Sequence, residues 1–106
     1  MSISTHVLDA VSGKPASGVP VTLLDAGHAT LSNAATDGDG RIGALGDDLP
    51  PGVYRLQFDT ATYFGRQGID AFYPEVTITF EVTDATARYH VPLLLSPYAY
   101  STYRGS

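Results

Sequence analysis

Residues 75–82 read EVTITFEV: Val76, Ile78, Phe80 and Val82 alternate with Glu75, Thr77, Thr79 and Glu81. Side chains two apart share a face of an extended chain, so this octet has the period of a half-buried strand and not of a helix. The same period recurs in VYRLQF at 53–58, where Tyr54, Leu56 and Phe58 oppose Arg55 and Gln57. It returns in ARYHVPLLL at 87–95, with Tyr89, Val91, Leu93 and Leu95 on one face, and VPVTLL at 19–24 is a further β-rich run. Turn residues punctuate these runs: SGKPASG at 12–18, TDGDG at 36–40, GDDLPPG at 46–52 and TDAT at 83–86. Short strands so separated argue for an all-β antiparallel sandwich. One stretch departs from the pattern. DTATYFGRQG at 59–68 opens on Asp59, a good N-cap, and closes on a glycine, which predicts a single helix of about two turns.

The whole of 1–106 is expected to form one domain, since a chain of 106 residues can bury roughly 60–70% of its unfolded surface. There is no cysteine, so neither a disulfide framework nor a thiolate nucleophile or metal site is available. Eleven acidic and six scattered basic residues give a formal charge of −5, which argues against a nucleic-acid partner. The start, MSISTH, has no basic segment followed by an apolar one, and no apolar run approaches the ~20 residues of a membrane helix. Read as given, the protein is expected to be soluble, cytoplasmic and without a membrane partner.

If Ile3 and Val7 face the core of the first strand, Ser4 and His6 face away from it. By the same alternation Arg88 and His90 leave the core face to Tyr89, Val91 and Leu93. Two histidines thus lie on outward strand faces, where an imidazole can titrate and reach a ligand. Which strands pair cannot be read from spacing. His28, in the turn-like DAGHATLSN at 25–33, reads as structural. His6, His28 and His90 include none of the close ligand pairs of a zinc site, so no metal is expected. DGDGR at 37–41 begins like a calcium loop, but Arg41 stands where an oxygen ligand belongs and no Glu follows at the twelfth position. GDGRIG at 38–43 matches G-x-G-x-x-G, yet no helical pattern follows, and Asp39 within the segment and Asp37 just before it stand where phosphates would have to bind. A tight turn delivering Arg41 to the next strand is the better reading, and a guanidinium so held can make planar bidentate contacts to an oxygen-rich or amide-rich ligand.

STHVLD at 4–9, TDGDGR at 36–41, FYPEV at 72–76 and above all YHVPLLLSPYAYSTYRGS at 89–106 resemble the 5-hydroxyisourate hydrolases, the enzymatic relatives of transthyretin. The resemblance covers essentially the whole chain and is most specific at its end. It implies a transthyretin-like (prealbumin-like) β-sandwich with one short helix, assembled as a homotetramer, a dimer of dimers, with active sites in a channel where two dimers meet. It implies that His6, Arg41, His90 and the terminal Tyr103, Arg104, Gly105 and Ser106 build that site. Of these, His6, Arg41, His90 and Ser106 carry catalysis, and His6, Arg41, Tyr103, Arg104 and Gly105 bind substrate. The implied reaction is opening of the six-membered ring of 5-hydroxyisourate by water, with no cofactor, on the route of urate degradation. Ala99 departs from the Gly or Ser often found there, which puts the local turn in question. The N-terminal half also resembles non-catalytic prealbumin-like modules and transthyretin-type carriers of small ligands, neither of which calls for His90 or a terminal Tyr-Arg-Gly-Ser.

Chemistry on the residues agrees with the resemblance. A cyclic acyl–nitrogen bond needs an activated water, a group to hold the developing oxyanion and a proton for the leaving nitrogen. Two histidines suit the proton transfers and an arginine suits the anion. Which histidine is the base stays open. Ordering the final residues costs about 1–2 kcal/mol each in backbone entropy, so an ordered tail requires contacts that offset it, expected against a neighbouring subunit. Tyr103 can pack against the ligand or its pocket, and Arg104 can pair with a carboxylate.

Overall fold

Strand β1 (Ser2–Asp9) alternates half-buried and buried side chains along its whole length, with Ile3, Thr5, Val7 and Asp9 turned to the core. The computed structural model describes residues 2–106. After β1 come β2 (Lys14–Pro15), β3 (Pro20–Asp25), β4 (Thr30–Ala35), β5 (Arg41–Asp47) and β6 (Gly52–Phe58). Helix α1 (Thr60–Gly65) then leads to β7 (Val76–Val82), β8 (Arg88–Leu95) and β9 (Tyr100–Thr102). One sheet has the order β2-β1-β8-β9, with β5 also paired to β1; the other is β4-β3-β6-β7. Between them pack Phe58, Phe64, Leu23, Leu56, Leu93 and Leu95, all fully buried, each worth about 1.5–3 kcal/mol relative to exposure. The all-β sandwich with one short helix is as the sequence led us to expect. Pairing is antiparallel except between β1 and β8, which run parallel in register from Ser2↔Arg88 to Asp9↔Leu95.

The helix begins and ends as its sequence dictates. Asp59 Oδ1 accepts from the Thr62 N–H at 3.1 Å, and beyond Gly65 the Ile69 and Gly68 amides donate back to Phe64 O and Gly65 O. These two bonds form a Schellman closure around Gly68. The Tyr63 hydroxyl donates to Asp9 Oδ2 at 2.8 Å, and Asp9 Oδ1 accepts from the amides of Val11 and Ser12. A buried carboxylate at the end of β1 therefore ties the helix to the sheet. Burial first, and the Asp9 hydrogen bond second, push the Tyr63 phenol above its ordinary 10.0.

Three features differ from the sequence expectation. The stretch 25–33 is only partly turn: Thr30–Ala35 forms β4, an edge strand almost wholly exposed, so no alternation marked it. In β7 the end residues Val76 and Val82 are buried, whereas Ile78 and Phe80 are half-buried. This strand is the outermost of its sheet, and the outermost strand facing it, β9, is only three residues long. Ala99 holds no positive φ; its carbonyl accepts from the Ser96 amide and hydroxyl and so closes the β8–β9 turn.

The turn before β5 is built around Asp37, whose Oδ1 accepts from the amides of Asp39 and Arg41, both at 2.9 Å. Gly40 lies at φ +74, and its carbonyl accepts from the Val7 amide at 2.7 Å. A Cβ there would overlap the Val7 carbonyl oxygen and stand 3.1 Å from Pro15 Cβ. Gly40→Ala is therefore expected to lower the unfolding free energy by at least about 1–2 kcal/mol, the cost of a left-handed backbone in an L-residue. Urea denaturation monitored by circular dichroism checks this, and an unchanged midpoint would reject it.

Candidate active site

In the larger sheet β1 lies between β5 and β8, and that placement collects the chemically capable side chains. His6 is directly opposite Arg41 across the β1–β5 pair, and Ser4 is directly opposite His90 across the β1–β8 pair. Opposed residues project to the same side of a sheet, with Cβ atoms about 4.5–5.5 Å apart in an antiparallel pair. Because Ile3, Thr5 and Val7 take the core face, Ser4, His6, Arg41 and His90 share the outer face. An open cleft of about 360 Å³ on that face has Ser4, Arg41, Gly43, Arg88, His90 and Ser106 in its wall. His6 lies beside the cleft, next to Arg41, rather than in its wall.

The end of the chain is held by its own sheet. β9 pairs with β8 at Leu93↔Thr102, Leu94↔Ser101 and Leu95↔Tyr100, and the Thr102 hydroxyl donates to Pro92 O at 2.7 Å. Three residues further on, the Gly105 amide donates to His90 O at 2.8 Å. Gly105 rests against the imidazole: a Cβ on it would overlap His90 Cδ2 and stand 3.1 Å from Cγ. No other residue type fits so close an approach. Within the chain the tail is thus held against β8. Among the described residues Arg104 meets a ring and not a carboxylate; its guanidinium carbon sits 4.6 Å from the centre of the Tyr89 ring, a cation–π contact. Tyr103 and Arg104 line a second cavity of about 240 Å³, with Ile78, Phe80 and Tyr89, and His90 stands between the two spaces. His28 is far from both, exposed in the β3–β4 turn at φ 66.

Burial is the largest influence on His90, and the Arg41 guanidinium and His6 act in the same direction: all three hold its imidazole below the ordinary 6.5. A cation or a low-dielectric wall disfavours the imidazolium, so His90 is neutral near neutral pH. Ser4 Oγ lies 2.8 Å from His90 Nδ1. The Asp37 carboxylate, which a calcium loop would have used, is taken up by backbone amides, and among the described residues no three His, Cys, Asp or Glu side chains converge to hold a metal ion. Nor does any helix among them have the length and apolarity to cross a membrane.

Ser4, Gly43 and Arg88 were not named as site residues from the sequence. Alternation already placed Ser4 and Arg88 on the outward faces of their strands, and only the β1–β8 register, invisible in spacing, joined them to His90.

His90 is expected to titrate below 6.5, and Arg41→Gln to move its midpoint upward by removing the second of the three causes. Following the imidazole carbon-bound protons by NMR against pH checks this; a wild-type midpoint at or above 6.5 would overturn it. The sign for stability follows. A depressed folded-state value means that the unfolded chain takes up the proton first, so the contribution is whole above the unfolded value and is lost as pH falls through that of folded His90.

The chain is similar to known proteins in both sequence and fold. Residues 3–105 match the model of the HIUase/Transthyretin family. The chain is 48% identical over 109 residues to a 5-hydroxyisourate hydrolase of Salmonella typhimurium, covering 98% of this chain and 80% of that protein. The solved structure of Klebsiella pneumoniae 5-hydroxyisourate hydrolase superimposes with a TM-score of 0.92 at 39% identity, covering 100% of both chains. Sea bream transthyretin, solved in complex with thyroxine, gives a TM-score of 0.92 at 31% identity over 99% of this chain and 95% of its own. With the family model matched over nearly its whole length, and the fold and sequence of the relatives shared throughout, the chain belongs to the HIUase/Transthyretin family.

Proposed function

We propose that the protein is a hydrolase that opens 5-hydroxyisourate to 2-oxo-4-hydroxy-4-carboxy-5-ureidoimidazoline in urate degradation. The observation that carries this reading is the gathering of His6, Arg41 and His90 on one sheet face, beside Gly105 and Ser106. The hydrolase of Salmonella typhimurium is 48% identical to this chain and the sea bream transthyretin 31%, which favours an enzyme over a carrier.

The chemistry follows from the geometry. Water must attack the cyclic acyl carbon, and a neutral imidazole can take its proton. The carbonyl oxygen gains negative charge as the new bond forms, and Arg41 opposite His6 supplies a fixed cation for it. The leaving nitrogen needs a proton, which the second imidazole can give. His6 and His90 thus act as the acid–base pair, Arg41 orients the substrate and stabilises charge, and Ser106 closes the cleft. Tyr103, Arg104 and Gly105 serve binding: Gly105 by seating His90, the other two by shaping the adjoining cavity. The reaction draws on no metal and no cofactor.

Residues 1–106 act as one domain, and the working form is a homotetramer of the cytoplasm. The outermost strands β7 and β9, together with Phe72, Tyr98 and Tyr103, each at least 60% exposed, supply edges and apolar surface for other copies to cover. Light scattering after gel filtration should give four times the chain mass; a monomer would reject the assembly.

The direct test follows freshly generated 5-hydroxyisourate by its ultraviolet absorbance against spontaneous decay. Wild type should accelerate its loss, while His6→Ala, Arg41→Ala and His90→Ala should each lower turnover by roughly two or more orders of magnitude with the fold intact. Decay no faster than the blank would end the enzyme reading.

A further inference from the structure

The Ser4 hydroxyl and the His90 imidazole face each other across the parallel β1–β8 pair. Their backbones are fixed by a continuous register running from Ser2↔Arg88 to Asp9↔Leu95, so the 2.8 Å separation of Oγ and Nδ1 is set by two strands and not by loops. On another side the ring is blocked by the Gly105 backbone, which is itself bonded to His90 O. With one edge engaged and another covered, the imidazole has little room to turn. Among the described residues its Nδ1 has one protein partner, Ser4, and its Nε2 has none.

We propose that Ser4 is a positioning residue: its Oγ accepts the Nδ1–H of His90 and thereby holds the neutral ring in the tautomer whose Nε2 lone pair is offered to the ligand. A neutral imidazole carries one N–H, so the choice of tautomer decides which nitrogen can accept a proton. The surroundings select the direction. The cleft that His90 lines is lined also by Arg41 and Arg88, whose guanidinium groups only donate, and by Ser106. A lone pair at Nε2 suits a cleft with such donors better than an N–H would. The Ser4 hydroxyl can accept from Nδ1 and still direct its own hydrogen to water in the cleft that it helps to line. The depressed pKa of His90 agrees, since it keeps the ring neutral and the tautomer defined.

What Nε2 acts on rests on the hydrolase reading above: there it would receive the proton of the attacking water. The tautomer itself does not rest on that reading, so two measurements separate the claims. In ¹⁵N-labelled, ligand-free protein above the His90 titration, Nδ1 should resonate as a protonated, pyrrole-like nitrogen and Nε2 as a pyridine-like one. Ser4→Ala should shift the ring toward the Nε2–H tautomer that free imidazole side chains favour, and Ser4→Thr, which keeps an oxygen on Cβ, should restore the wild-type pattern. With 5-hydroxyisourate, Ser4→Ala should lower kcat roughly tenfold, in the range usual for a partner that orients a reacting imidazole, with KM within about twofold. Ser4→Thr should recover most of the loss. A wild-type ring protonated at Nε2, or a Ser4→Ala ring still protonated at Nδ1, would overturn the proposal. So would an active wild type whose kcat is untouched by Ser4→Ala. If wild type hydrolyses nothing, the hydrolase reading falls and the nitrogen spectra still decide the role of Ser4.

Discussion

The parallel pairing of β1 with β8 is the constraint on which the rest of the molecule depends. It sets Ser4 opposite His90 and leaves the other edge of β1 free to take β5, which sets Arg41 opposite His6. The register is enforced from the other face. Ile3, Val7, Tyr89, Val91 and Leu93 are all buried, and a slip of one residue would turn that whole set to solvent. The core therefore fixes the outer face without touching it. Parallel strands also need a long connection between them, and here the entire second sheet and the helix intervene between β1 and β8.

Beside that pairing the tail acts as a second fixture. Strand β9 continues the sheet, and Gly105 returns to bond the backbone of His90 while its own backbone presses on the ring. His90 is thus held by β1 through Nδ1 and by the tail through its carbonyl and ring face. Such support from rigid elements keeps a reacting group within the small tolerance that proton transfer demands. Arg104, directed away from the cleft and stacked on Tyr89, braces the segment from the opposite side.

The site is cationic in a protein whose formal charge is −5. Arg41, Arg88 and two histidines stand together on one face, and no Asp or Glu side chain lines the cleft among the described residues. Asp37, four residues before Arg41 in the preceding turn, spends its oxygen on backbone amides and so shapes the turn instead of neutralising the arginine. Second to burial, the Arg41 guanidinium disfavours a proton on His90. A donor-rich, partly desolvated wall of this kind favours a ligand bearing several oxygens and gives greater effect to charge that develops during reaction.

Alternation alone gave the sandwich, the buried face of each long strand and the outward aim of His6 and His90, because a core-facing strand must repeat every two residues whatever its neighbours. The helix was equally legible, since Asp59 and Gly68 are local signals for its start and stop. So was the turn at 36–40, where Asp37 and Gly40 satisfy the backbone within a few residues. Strands β4 and β9 were not legible, for an exposed edge strand buries neither face and needs no pattern. Nor was the union of Ser4, His6, Arg41, His90 and Gly105. Residues 86 positions apart meet only through strand order and register, which are properties of two packed sheets and leave no period in the sequence.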